Sequence, residues 1–138
     1  MLPPELLEAF RQTDYHVFGD TPLILQPGIF APDADRFLHD RDQDTAIVLT
    51  AWNPMSVTTP IAENEAVQAR LIEDLDHRGL VHIPAEGRGR DGLWPPEPSL
   101  FVLGVTLQVA HELAAAHRQA ACLFLRRGVA PEVVVTQI

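Results

Sequence analysis

Apolar positions along the chain follow two spacings, one suited to helices and one to strands. In "PPELLEAFRQT", Leu6, Leu7 and Phe10 form one stripe behind Pro3 and Pro4, which predicts a short helix. "DYHVF" and "PLILQPG" read as two short strands, the second closed by Pro27 and Gly28. "APDADRFLHDRDQDT" is polar and acidic and reads as a loop or a short helical turn. "AIVLTAW" is almost wholly apolar, the pattern of a strand covered on both faces. Val67, Leu71 and Leu75 recur every four residues and predict a helix over 61–78. Thr59 serves as its N-cap, Pro60 as its first residue and Gly79 as its stop. "LVHIP" and "SLFVLG" read as strands separated by a long loop, "AEGRGRDGLWPPEP". Thr106 caps a helix over "LQVAHELAAAH". "AACLFLRR" and "EVVVTQI" follow as two strands joined by the turn "GVAP".

Strands alternating with two well-marked helices predict strand–helix–strand units joined by right-handed crossovers. The expected fold is α/β: one domain over residues 1–138, with a mixed, mostly parallel sheet. Helices pack on that sheet, and an antiparallel strand pair forms its C-terminal part. At 138 residues and 46% hydrophobic content the chain can build a substantial core, burying roughly 68–70% of its unfolded surface.

Charge narrows the partners. Nineteen acids against ten bases give a net charge of −9, a field that repels phosphate backbones and anionic lipid. General nucleic-acid binding and membrane binding are therefore not expected. No apolar window is long enough to span a bilayer, and "MLPPELLEAF" lacks the basic start of a signal peptide, so the cytoplasm is the expected compartment. The single cysteine, Cys122, leaves no intrachain disulfide and no Cys-rich metal site, and its apolar run marks it as an inert core thiol.

Two motifs resemble known sites and fail on physical grounds. "GRGRDG" (Gly87 to Gly92) has the spacing of a dinucleotide loop, but "LWPPEP" follows it where a helix must start. "HELAAAH" has its histidines, His111 and His117, six apart. At roughly 100° per residue they fall on different helix faces, so they cannot share a metal. No metal and no cofactor are expected. Neither serine, Ser56 or Ser99, lies in a nucleophile elbow.

Three segments remain, each with polar residues at a strand edge. In "TAWNP", Thr50, Trp52 and Asn53 follow the clearest strand, and ligands of open α/β sheets bind beyond such strand ends. Asn53 precedes a proline and is expected to be extended. It either holds a ligand or bonds the turn. Asn64 falls on the inner face of the following helix, where a polar side chain must find partners, and is expected near Asn53. It is either a ligand group or a clamp. In "WPPEPS", Glu97 stands between prolines with Trp94 and Ser99 nearby. It is a candidate acid or base, or a partner for Arg88 or Arg90. The arginines, Arg88 above all, are candidates for holding a small anion.

These stretches together resemble the DUF3293 family, small bacterial proteins of unassigned function. The resemblance rests on "FRQTDYHV", "LTAWNPMS", "ENEAVQARL", "PAEGRGRDGLWPPEPSLFVLG" and "RQAACLFL". It carries the family pattern onto Thr13, Tyr15, Thr50, Asn53, Pro54, Asn64, Glu97, Ser99 and Gln119. The family usually has a glycine where this chain has Arg118, which leaves the end of the preceding helix open. Two functional readings follow. One is a site for a small polar ligand of nucleoside or sugar kind, with Glu97 catalytic in a transfer or hydrolysis and Thr50, Trp52, Asn53, Asn64, Arg88, Trp94 and Ser99 binding. The other is a non-enzymatic interaction module or homodimer that pairs through "EVVVTQI".

Overall fold

The computed structural model describes residues 2–136. Its elements are α1 (Pro4–Arg11), β1 (Thr13–Val17), β2 (Leu23–Leu25), α2 (Pro32–Asp40), β3 (Thr45–Leu49) and α3 (Ile61–His77). They continue with β4 (His82–Gly89), β5 (Glu97–Leu103), α4 (Leu107–Ala116), β6 (Ala121–Arg126) and β7 (Glu132–Val135). Gln137 and Ile138, the end of the strand expected over "EVVVTQI", lie outside the described residues.

The sheet runs β2-β1-β4-β5-β3-β6-β7, and every neighbouring pair is antiparallel. The expected mostly parallel sheet is thus overturned, and the reason lies in the crossovers. Both strand–helix–strand units exist, β3-α3-β4 and β5-α4-β6, and within each the two strands point the same way. Each crossover skips one position, however. β5 fills the gap between β3 and β4, and β3 fills the gap between β5 and β6. The two units interlock in the β-α-β-β-α-β, split-βαβ connection of ferredoxin-like folds.

Alternation along the strands gives the sheet two buried faces. Ile47 and Leu49 of β3 join Leu100, Val102 and Phe124 under α3 and α4, which contribute Leu71, Leu75 and Leu113. On the opposite face, Ala46 and Val48 join Phe101, Leu103 and Leu123 under α2, which contributes Ala34, Phe37 and Leu38. The segment read as a loop or helical turn is therefore a nine-residue helix. Pro32 starts it, Asp33 and Asp35 suit its first turn, and Ala34, Phe37 and Leu38 make a short apolar stripe at i, i+3 and i+4.

β4 also runs further than its apolar residues suggest. It continues through "AEGRG", read as loop, because β1 pairs along one side of it and β5 along the other. Ladder bonds on both sides outweigh the poor strand propensity of Gly87 and Gly89. The capping expected for α3 differs too. Pro60 is the N-cap position and no side chain caps the helix, while the Thr59 hydroxyl bonds the Val57 carbonyl.

Helix α4 ends in a Schellman turn. The Arg118 N–H bonds the Ala115 carbonyl, and the Gln119 N–H reaches back to the Ala114 carbonyl at 2.8 Å. This geometry places Arg118 at φ +55°, a left-handed conformation that glycine adopts without a Cβ penalty. The helix end is the one a glycine would give, built with an arginine. Arg118→Gly is expected to stabilise the fold by about 0.5–1 kcal/mol, once relief of that strain is set against glycine's greater unfolded-state freedom. Urea denaturation of the two proteins measures this.

Candidate functional site

Beyond Leu49 the chain leaves the sheet, and its next polar groups fasten it at three points. The Thr50 hydroxyl donates to the Pro98 carbonyl at 2.6 Å and accepts the Trp52 N–H at 2.9 Å. Gln68 of α3 is buried, accepts the Ala51 N–H at 2.9 Å and donates to the Pro98 carbonyl at 3.3 Å. Gln119 donates to the Trp52 carbonyl at 3.3 Å from the other side. The ends of β3 and β5, the flank of α3 and the turn after α4 are thereby tied together.

Asn53 and Asn64 meet, as their spacing predicts. Asn64 is only 1% exposed. Its Oδ1 accepts the Asn53 N–H at 2.7 Å, and its Nδ2 donates to Asn53 Oδ1 at 2.8 Å and to the Thr59 carbonyl at 3.0 Å. Asn53 Oδ1 also accepts the Thr59 N–H at 3.1 Å. Asn53 is not extended, as expected before proline, but left-handed, with φ +49° and ψ +66°. Asparagine tolerates that region better than most residues, and the paired amides hold it there. Met55 and Ser56 follow at φ +59° each, and the Met55 N–H bonds the Arg118 carbonyl at 2.8 Å. Three non-glycine departures within four residues mark a turn that its surroundings impose.

With both bonds to its oxygen made, Asn53 has only its Nδ2 protons left, and these are what it presents to Glu97. Glu97 opens β5 on the face that holds α2, and Ser99 follows it on the same face. Burial pushes the Glu97 carboxyl up to about 7, and the Asn53 amide keeps it from rising further. Neither Arg88 nor Arg90 answers it. Arg88 bonds Glu86, its neighbour two residues back, and Arg90 bonds Asp14 at 2.7 Å. Among the described residues Glu97 has no ion-pair partner.

Glu97 borders an open cavity of about 200 Å³. Its floor is the sheet, with Thr13 and Tyr15 of β1 and Gly87 and Gly89 of β4. Leu6, Ala9 and Phe10 of α1 form one wall, and Trp52, Asn53, Ser99 and Gln119 stand opposite. Trp94, 65% exposed, lies at the mouth with Asp91 and Pro95. Gly87 sits opposite Tyr15 in the register, and a Cβ on it would come within 3.5 Å of the Tyr15 ring, so the glycine keeps this space open. Burial raises the Tyr15 phenol above its ordinary range, and the neighbouring Glu97 charge adds to the effect, so the hydroxyl keeps its proton.

Of the residues singled out from sequence, Thr50, Trp52, Asn53, Trp94, Glu97 and Ser99 border this cavity; Asn64 and Arg88 do not. Asn64 lies behind Asn53, and Arg88 alternates with Gly87 and Gly89 and so faces away from the cavity. Tyr15, Thr13 and Gln119 entered only through the family pattern. Gln68 and the α1 wall were not anticipated. For α1 the signal was present, since Leu6 and Phe10 lie one turn apart on its apolar stripe. A larger hollow of about 360 Å³ lies between β2 and α2, but its only polar side chains are Gln26 and Asp33.

The remaining expectations about chemistry have plain outcomes. No helix follows Gly92; the chain enters an exposed loop and then β5. His117 bonds Asp74 of α3 at 2.8 Å, while His111 is exposed. Partial burial alone would raise the Asp74 carboxyl, but hydrogen bonds from His117 and Arg78 outweigh it and hold the group below its usual range. No cluster of metal-ligating side chains occurs among the described residues, and no helix there is long and apolar enough to cross a membrane. Cys122 is buried, and burial pushes its thiol up to about 12.

The sequence pattern of DUF3293, a protein of unknown function, matches residues 49–122, more than half of the chain. The chain belongs to the DUF3293 family. The matched region holds Thr50, Asn53, Asn64, Glu97, Ser99 and Gln119, and hence both sides of the amide clamp and the carboxyl it faces. β1 and α1, which supply the DUF3293 cavity's floor and wall, precede the matched region. No curated protein and no solved structure matches the chain.

Two consequences follow for this DUF3293 chain. Asn64→Ala removes three hydrogen bonds at a buried site and strands the Asn53 N–H, so it is expected to cost about 2–4 kcal/mol in denaturant unfolding. Glu97 ionises near its ordinary range when unfolded but at about 7 when folded. Its contribution is therefore full below about pH 4.5 and is lost as pH rises through 7. Against Glu97→Gln, the wild type is expected to lose about 1–3 kcal/mol between pH 5 and pH 8, read from paired urea titrations.

Proposed function

We propose that this DUF3293 protein binds a small polar ring compound in the cavity beside Glu97, and that Glu97 moves a proton there. One observation carries this reading: a largely buried carboxyl, unpaired by any base, borders a cavity open to solvent. A carboxyl that titrates near 7 is populated as acid and as base at neutral pH, which suits proton transfer in a group transfer or hydrolysis. The Asn53 amide, fixed from behind by Asn64, supports the carboxylate form. Ser99 and Gln119 offer further polar contacts, and the tryptophans offer faces for a ring.

The volume limits the ligand. A cavity of about 150 Å³ holds a benzene, so about 200 Å³ holds one ring with a substituent. Of a nucleoside, the base or the sugar would be enclosed, and the rest would lie at the mouth beside Trp94. The other reading, an adaptor or homodimer pairing along β7, has that strand's terminal place in the sheet as its support.

A thermal-shift screen of purified protein against free bases, nucleosides and monosaccharides tests the proposal, because a ligand that binds only the folded state raises its melting temperature. A hit is expected to lose at least tenfold in affinity in Glu97→Gln and in Asn53→Ala, and to keep it in His111→Ala on the exposed side of α4. Equal affinity in all four proteins would place the ligand elsewhere and defeat the reading.

A further inference from the structure

The cavity is defined as much by what it lacks as by what it contains. Among the described residues that line it there is no arginine, lysine or histidine, although the chain has ten bases and six histidines. Two carboxyls, Glu97 and Asp91, border it, and Trp52, Trp94, Tyr15 and Phe10 supply aromatic surface. We infer that the ligand is a compact organic cation, its ring enclosed by the aromatic side chains and its ammonium set against Glu97. This rests on the cavity being a binding site, as proposed above.

The reasoning is electrostatic. An anion entering here would meet two acids, no base and a protein of net charge −9. Phosphorylated compounds are excluded for the same reason. A neutral ligand gains from hydrogen bonds alone and leaves a buried carboxylate without a counter-charge. A cation supplies that missing charge and also gains from the negative faces of the aromatic rings. The groups near Glu97 do not compete with it: Tyr15 on β1 keeps its proton, the Cys122 thiol, packed on the other face of β6, stays un-ionised, and Asp91 on the loop before β5 has the same sign. Binding should therefore draw Glu97 into its ionised form.

Isothermal titration with three compounds of one skeleton tests this: benzylammonium, benzyl alcohol and benzoate, each at pH 6 and pH 8. Benzylammonium is expected to bind about tenfold more tightly at pH 8, in proportion to the ionised fraction of a carboxyl titrating at about 7. The alcohol and benzoate are expected to bind at least tenfold more weakly at pH 8. Glu97→Gln should abolish the pH effect. Trp94→Ala, at an exposed loop position with little bearing on folding, should weaken benzylammonium severalfold at both pH values. If benzyl alcohol or benzoate binds as well as the amine, or amine affinity does not rise with pH, the cation inference is overturned while the binding site stands. If none of the three binds, the cation inference is overturned, and the thermal-shift screen above decides the binding site separately.

Discussion

Helical periodicity carries the Asn64 amide into the interior along with the leucines of α3, and there each unbonded polar group would cost about 1–3 kcal/mol. The turn after β3 answers all of that amide's needs, and in doing so takes a shape it would not hold alone. Asn53 is left-handed because its N–H and its side-chain oxygen are both claimed from one side. That leaves a single pair of N–H protons free to point the other way. The direction of those protons, and hence the surroundings of Glu97, depends on a residue that never touches the cavity.

Much of this was legible in the sequence because it is periodic or local. The stripe on α3 places Asn64 inward, and its distance from Asn53 brings the two amides together. What escaped depends on contacts between distant segments. The strands of each strand–helix–strand unit are parallel, as their order implies, but nothing in either unit says that the other will insert between them. The extension of β4 through two glycines is invisible locally, since it needs partners on both sides, one of them β1 far back in the chain, with Tyr15 opposite Gly87. Left-handed Asn53 is a similar case: the local preference before proline is real, and a tertiary hydrogen-bond pair overrides it. Arg88 and Arg90 illustrate the reverse, since strand alternation, once the strand is known, turns the first away from the site.

The two faces of the sheet are finished differently. α3 and α4 cover one with a continuous apolar layer. On the other, α2 covers one end, while α1, a helix with no buried residue of its own, stands over the rest without filling it. Glycines occupy the positions on β4 where side chains would otherwise project into that space. The cavity is thus a part of the core that packing leaves empty, and the polar groups around it are those of strand ends, where ladder bonding stops.

The position of β1 has a consequence for the architecture. Among the described residues, β1 alone bonds β4 on its outer side, and it comes from the N-terminal part of the chain. A chain shortened past β1 could keep both interlocked units, but it would expose one long edge of β4, and unpaired edges recruit other strands. The N-terminal segment therefore also acts as a seal against aggregation: the strand that floors the cavity is the one that keeps the sheet from growing into its neighbours.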